Sequence, residues 1–379
     1  MANFEQEAQR RRKARLAKKA QQRRRRRMAG LAVGAAAVVL MILALVLMGR
    51  GSEPQPAETT VPTETAPPPE TAAPEDTVPG ETQAPKPQSG TTVIRIAAAG
   101  DLNVTDGMLE NAAHENGYDF SETFLDVAPI LSGADLTLLN FEGNLSGGSY
   151  GYEIVEVEGI RIALIAFTKG MDNLGLPAGS DDCVNLLYED YSTDYKKVDT
   201  DRIARVLRNV AEEQPDITIA MLHWGSEYNE EIIDSQEKIR KQLQEGGVDI
   251  ILGSHPHLVQ KVDYDPIAHT LVAYSLGDFF GDAVMAGTQY SIVLEMEITK
   301  VNATGEVYLS GWDYTPIYTL KPDESLSGGH RVVRIREAME RYETNFVGRI
   351  TDGAYSGMQK ALERIEERVA PKQDAENAE

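Results

Sequence analysis

Two of the six histidines in this 379-residue chain flank a single proline, in the run Gly253-Ser254-His255-Pro256-His257. The run follows Val248-Asp249-Ile250-Ile251-Leu252, an apolar stretch of strand length. Loops at the carboxyl ends of strands are where α/β sheets bind their ligands. A turn made with Gly and Pro can aim both imidazoles into one crevice, which serves a metal ion better than a core. Residues 217–222 lead in the same way into His223-Trp224-Gly225-Ser226-Glu227. Three more strand ends present Asp101 with Asn103, Asn140 with Glu142, and Asp278. Carboxylate oxygen and imidazole nitrogen together form a donor set that hard and borderline divalent cations take. An ion so held can activate water and neutralise charge growing on a phosphoryl or acyl oxygen. A pair of ions could clamp both the attacking and the leaving oxygen.

Taken singly, most of these residues have an ordinary structural explanation. Gly100-Asp101 reads as a strand-end turn, and Asn140 with Glu142 is a commonplace strand ending. His223 before Trp224 could be a hydrogen-bonded histidine near the surface. His255 and His257 are harder to explain away, because nothing structural calls for two imidazoles around a proline. His114, His269 and His330 lack such a context and read as surface or structural residues. The lone Cys183 excludes an internal disulfide and reads as a small buried filler.

The elements that must position these residues follow from periodicity. Residues 92–98 and 134–140 read as strands, with Phe120, Phe124, Val127 and Leu131 at helical spacing between them. Residues 152–158 and 160–168 read as a hairpin turning at Glu158-Gly159. Residues 199–213 form a helix with Asp199 or Thr200 as its cap and Ile203, Val206, Leu207 and Val210 on its apolar face. Strand 216–222, helix 234–245 and strand 248–252 complete an alternation typical of a layered α/β sheet. Strands at 260–264, 270–274, 290–300 and 305–314 then form a mostly antiparallel group. The tail over 332–369 reads as helical, with a frayed end beyond Pro371. Only about eleven Gly- and Ser-rich residues join strand 134–140 to Tyr152. A parallel crossover needs a dozen or more, usually with a helix. Either the two strands are antiparallel neighbours or a crossover unit is absent.

Ahead of the domain lie three appendages. Residues 1–27 carry twelve Lys or Arg against Glu5 and Glu7. Residues 28–48 hold no charge over 21 positions, enough for a helix to cross a bilayer. That span is longer than the core of a typical secretion signal, so it reads as a signal anchor rather than a cleaved leader. Basic residues stay on the cytoplasmic side, which places residues beyond Arg50 outside the cell. Residues 51–90 contain ten of the eighteen prolines and little apolar bulk, the composition of a disordered tether. Fully extended it would reach about 120 Å at ~3.1 Å per residue. The chain's net charge is −22, and residues 91–379 hold 23 bases against 50 acids, a net of −27. So acidic a domain repels nucleic acid and other polyanions.

Gly100-Asp101, Ala134-Asp135-Leu136 leading to Asn140-Phe141-Glu142, and His223-Trp224-Gly225-Ser226-Glu227-Tyr228 occur in that order. Gly253-Ser254-His255-Pro256-His257 with Gln260, and Tyr274-Ser275-Leu276-Gly277-Asp278-Phe279, follow them. Together they resemble the motifs of the CapA-type proteins of poly-γ-glutamate capsule biosynthesis, similar in fold to calcineurin-like metallophosphoesterases. The resemblance covers roughly residues 92–320, so the domain is read as 91–320 and the segment 321–379 as a C-terminal helical extension. It implies a four-layer α/β sandwich, two β-sheets flanked by helices, with a metal site at the strand ends. Asp101, Glu142, His223, His255 and His257 would hold the metal, with Asn103, Asn140 and Asp278 as further candidates beside it. The cofactor would be a divalent ion, with Mn, Zn and Fe all suitable. The wider phosphoesterase pattern has Asp-x-His where this chain has Asp101-Leu102-Asn103, and Gly-Asn-Phe where it has Gly277-Asp278-Phe279. Family members also carry a segment with an Asn-Asn-His motif ahead of the strand matching residues 160–167. This chain has no histidine between His114 and His223, so that segment is read as deleted, together with its crossover.

Three functions compete. One is an exported metal-dependent hydrolase of a cell-envelope phosphoester or amide, with His223 and Glu227 as the catalytic candidates. The second is a non-catalytic, membrane-tethered component working with the capsule polymer synthesis or export machinery, and it is the favoured role. The third, a wall-bound module for polyglutamate, is opposed by the −27 domain unless a bound cation screens it. Nucleic acid is not expected as a partner.

Overall fold

The computed structural model describes residues 90–114, 117–141, 151–170, 175–176, 184–281, 285–325, 328–344 and 350–369. The basic segment, the 28–48 span, nearly all of the tether, Glu142, Cys183 and the last ten residues lie outside them. No helix among the described residues is long and apolar enough to cross a membrane.

Strand β1 (Thr91–Leu102) shows why two sheets form. Ile94, Ile96 and Ala98 face one core and Ala97 and Ala99 the opposite one, so both faces are covered. One edge of β1 pairs in parallel with β4 (Leu136–Phe141). Between them run α1 (Asp106–Ala112), the short hairpin β2 (Ala113–His114) and β3 (Gly117–Tyr118), α2 (Ser121–Phe124) and α3 (Ala128–Gly133). The helix expected through Phe120 and Leu131 is thus two short helices, because Pro129 suits only the first turn of α3. Phe120, Phe124 and Val127 are buried as the spacing requires.

The second sheet begins with the hairpin of β5 (Tyr152–Val157) and β6 (Ile160–Thr168). It turns at Glu158 and Gly159, both with positive φ, which matches the twist of two-residue hairpins. α4 (Thr200–Glu212) starts at Asp199, whose carboxylate accepts from the Arg202 amide. β7 (Ile217–His223), α5 (Asp234–Glu245) and β8 (Ile250–Ser254) follow as expected. β9 (Val262–Asp265) and β10 (Thr270–Ala273) complete this sheet, in the order β5-β6-β7-β8-β10-β9. β6, β7, β8 and β10 are parallel, so their carboxyl ends share one edge.

β11 (Asp278–Phe280), β12 (Tyr290–Val301), β13 (Val307–Leu320) and β14 (Arg331–Arg334) return to the first sheet, in the order β11-β1-β12-β13-β14. The expected single antiparallel group is therefore divided. β9 and β10 belong to the second sheet, where β10 lies parallel to β8. β4 and β5 are not antiparallel neighbours either, since the link between them carries the chain from the first sheet to the second. Ile162, Ile219, Ile250, Ile94, Ile292 and Leu294 pack the space between the sheets. α4 and α5 cover the outer face of the second sheet, and α1 to α3 that of the first. These are the four layers of the expected sandwich.

The tail differs from the uniform helix expected of it. Arg331–Arg334 is an edge strand with two β-branched residues, and α6 (Ile335–Glu343) and α7 (Asp352–Val369) follow. Ala354, Met358, Ala361, Ile365 and Val369 of α7 are buried in the inter-sheet core, so this segment completes the domain.

Candidate metal centre

At the carboxyl end of β1 the partner strand changes. β12 pairs with Thr91 to Ala98, and β11 replaces it at Asp101 and Leu102. A Cβ on Gly100 would lie 1.8 Å from the Gly277 carbonyl oxygen, so only glycine lets the two strands meet. The exchange sets Asp101 opposite Asp278. Asn140, at the end of β4, donates from Nδ2 to Asp101 Oδ1 at 2.5 Å. Asp101 and Asp278, braced by Asn140, form a carboxylate wall on the first sheet.

The second sheet supplies an imidazole wall. A Cβ on Gly253 would lie 1.9 Å from the Tyr274 carbonyl oxygen and 2.5 Å from Trp224 Nε1, which explains the glycine ahead of the His-Pro-His turn. Trp224 is buried, stacks on Tyr274 at 5.8 Å and donates to its carbonyl at 2.8 Å, tying the ends of β7 and β10 together. Beyond β8, His255 and His257 take φ of 90° and 60°. Left-handed backbone at a non-glycine residue costs on the order of 1–3 kcal/mol and persists where surrounding contacts enforce it. The enforcing contacts are visible. The His255 amide donates to Asp101 Oδ2 at 2.9 Å, and the Pro256 carbonyl accepts from the Tyr228 amide at 2.9 Å.

His257 joins the walls. Its Nδ1 lies 2.7 Å from Asp278 Oδ1 and 3.9 Å from Asp101 Oδ2, and Tyr228 stacks on its ring at 5.3 Å. Two donor groups result: the buried Asp101, His257 and Asp278, and Glu227 at the rim with His255 and His257. In each, the ligand atoms lie within 4.8 Å of one another. The His223 ring is 4.3 Å from that of His255.

The electrostatics separate the walls. Burial, and secondly the charge of Asp278, push Asp101 up to about 6. Burial likewise raises Asp278. Burial, helped by His257 and Lys169, holds His223 down to about 4, and burial with His223 lowers His255 further. Two adjacent buried carboxylates are poorly tolerated without a cation, whereas neutral imidazoles keep their lone pairs. The Asp101, His257 and Asp278 donor set thus fits a divalent ion.

The family described as "Bacterial capsule synthesis protein PGA_cap" matches residues 148–283, which include the His223 and His255 motifs and Asp278. The PGA biosynthesis protein CapA of Bacillus subtilis (strain 168) is 30% identical over 147 residues, 38% of this chain and 36% of that protein. The Capsule biosynthesis protein CapA of Bacillus anthracis is 32% identical over 83 residues, 22% of this chain and 20% of that one. Residues 148–283 are thus similar to the capsule synthesis family. The chain spans about a third or less of the length of the curated relatives it matches. Among solved structures, a phosphatase from Mycoplasma pneumoniae aligns with a TM-score of 0.36 at 12% identity, over 60% of this chain and 95% of that one. The calcineurin-like phosphoesterase YfkN of Bacillus subtilis aligns with a TM-score of 0.26 at 12% identity, over 62% and 65%.

The structure gathers Asp101, Asn140, Asp278, His223, His255, His257 and Glu227 into one cluster. Asn140 acts on Asp101 through a hydrogen bond, and Asp278, a secondary candidate by sequence, sits within the buried donor group. Asn103 is fixed through its backbone amide on the Phe280 carbonyl at 2.8 Å. The expectation for Glu142 falls outside the described residues. Sequence reasoning missed Lys169, whose Nζ lies 3.0 Å from His255 Nε2. It follows directly on β6, so the rule that located the histidines, the carboxyl end of a parallel strand, also points to it.

Proposed function

We propose that this chain is a membrane-anchored, outward-facing component of capsule polymer synthesis or export, of poly-γ-glutamate type, with a divalent-cation site between its two sheets. The buried Asp101, His257 and Asp278 cluster, in a chain whose residues 148–283 match the capsule synthesis family, carries this reading. The uncharged 28–48 span behind twelve basic residues supports the anchor and its orientation. Mn, Zn or Fe would each suit the mixed oxygen and nitrogen donors. When bound, the ion would supply positive charge for an anionic oxygen and acidify a bound water.

The protein's own groups do the rest. Asn140 and the His255 amide hold the two oxygens of Asp101, while Asp278 fixes Nδ1 of His257. His223 and His255 are neutral at pH 7 because burial disfavours imidazolium. Glu227 lies exposed at the mouth and can meet an incoming group. The −27 domain repels a polyanion, so an anionic polymer would approach through the cation.

The second reading is an exported metal-dependent phosphoesterase or amide hydrolase, favoured by the rim group of Glu227, His255 and His257 beside neutral His223. Against it stands the missing Asn-Asn-His segment, whose loss a non-catalytic component tolerates. A strain lacking the gene should lose surface polymer, and protease added to intact cells should digest the domain. Wild-type polymer levels, or complete protection, would sink the proposed role. Turnover of generic phosphoesters by the metal-loaded chain, abolished in His255→Ala, would favour the hydrolase instead.

A further inference from the structure

The cleft holds a charged group that its donor set does not call for. Lys169 follows β6, which is paired with β7 up to Thr168 and His223. Its amide donates to the His223 carbonyl at 2.7 Å, so the register of the sheet delivers its side chain to the imidazole wall. There Nζ lies 3.0 Å from His255 Nε2 and 3.1 Å from the Gly225 carbonyl oxygen, and 4.6 Å from the centre of the Tyr195 ring. An imidazole lone pair, a carbonyl oxygen and an aromatic face are all sites that attract a cation. A lysine ammonium has donors only, so His255 Nε2 is the acceptor in this contact. A lone pair engaged in that way is not offered to a metal at the same time.

The two donor groups therefore differ in kind. The group of Asp101, His257 and Asp278 has two buried carboxylates to match the charge of a dication. The group of Glu227, His255 and His257 has one exposed carboxylate, and the Lys169 ammonium already stands against one of its imidazoles. An ion coordinated by His255 Nε2 would have to sit within a few ångströms of Nζ, where like charges repel strongly in a partly buried cleft.

We propose that Lys169 is a built-in cation that takes the second of two cation positions, so that the chain binds one divalent ion, at Asp101, His257 and Asp278. The proposal rests on the divalent-ion reading given above. It also makes the imidazole wall an organic cation site, with a fixed ammonium in place of an exchangeable ion.

The test is metal stoichiometry on the purified full-length chain. The chain is loaded with Mn²⁺, freed of excess by gel filtration, and assayed by elemental mass spectrometry and electron paramagnetic resonance. Wild type should hold one Mn²⁺ per chain with the spectrum of an isolated ion. Lys169→Met and Lys169→Gln, which remove the charge but keep the stem, should each rise to two, with the broadened spectrum of a coupled pair. Lys169→Arg should stay at one. Two ions in wild type, or one ion in both neutral variants with unchanged circular dichroism, would overturn the role of Lys169 and leave the metal site standing. No ion in wild type or in any variant would overturn the divalent-ion reading itself.

Discussion

The two walls of the cleft face each other across a few ångströms and solve opposite electrostatic problems. On the first sheet, Asp101 and Asp278 are almost wholly buried, at 0% and 2% exposure, and both are pushed toward protonation. On the second, His223 and His255 are pushed toward neutrality, and the nearby positive charge is Lys169. The first wall is short of a cation and the second carries one in its own sequence. The contrast shows that a set of ligand-type residues is not one site by virtue of being close together. Its members divide according to which charge the surroundings leave unbalanced.

The largest expected effect tests this division directly. Removing one carboxylate from the buried wall leaves the ion poorly neutralised, a loss on the order of 4 kcal/mol or about 1,000-fold in affinity. Asp278→Asn should therefore lower Mn²⁺ affinity by about that factor in titration calorimetry. Glu227→Gln, at the solvent-exposed rim, should lower it by less than about 10-fold, as expected for a screened charge. Equal losses in the two variants would erase the distinction between the walls.

A smaller effect comes from pH, and here the walls oppose each other. Asp101 has its folded pKa raised from 3.8 to about 6, so the folded state binds more protons than the unfolded state between those values. Its contribution to metal-free stability therefore falls as pH rises from about 4 to 6, by about 3 kcal/mol for the group alone. His223 has its folded pKa lowered from 6.5 to about 4, so the unfolded state binds more protons over that window. Its contribution rises with pH across the same range. In chelator the two slopes offset each other in wild type, and variants should uncover each of them. Asp101→Asn should gain stability steadily from pH 4 to 6.5, and the His223→Gln, His255→Gln pair should lose it, as read from urea midpoints. Parallel slopes in the two variants would show that the walls do not titrate as separate units.

Much of this arrangement is visible in the chain before folding. Gly100 and Gly253 mark places where another backbone passes too close for a Cβ, and the flanking apolar runs mark the strands that end there. The helix over Asp234–Glu245 and the turn at Glu158 and Gly159 depend on local pattern and fall where that pattern puts them. What periodicity does not carry is which sheet a strand joins. β9 and β10 read no differently from β12 and β13, yet tertiary pairing assigns them to opposite layers. The division of β14 from α6 was hidden for a similar reason, because Arg331–Arg334 is a strand by virtue of its pairing with β13. Lys169 went unseen because one lysine after a strand is ordinary. Its meaning comes from His255, 86 residues away, and from the register that brings them together.

The smallest effect asks whether the imidazole wall can be loosened without disturbing the other. Trp224 makes its side-chain hydrogen bond and its ring stacking on the second sheet, both with Tyr274. It fills the space beneath the second sheet's strand ends and gives its Nε1–H to the Tyr274 carbonyl. Trp224→Phe keeps an aromatic ring against Tyr274 but withdraws that donor and leaves a small void beside Gly253. The cost should be about 1–3 kcal/mol of stability, from the unmet carbonyl and lost contacts. The His255 turn would then be less firmly aimed, while Asp101 and Asp278 remain fixed by the meeting of β1 and β11. Mn²⁺ affinity should change by no more than a few-fold, because His257 still has its bond to Asp278. An affinity loss in Trp224→Phe as large as that in Asp278→Asn would break the comparison, by showing that the second sheet positions the ion as much as the first.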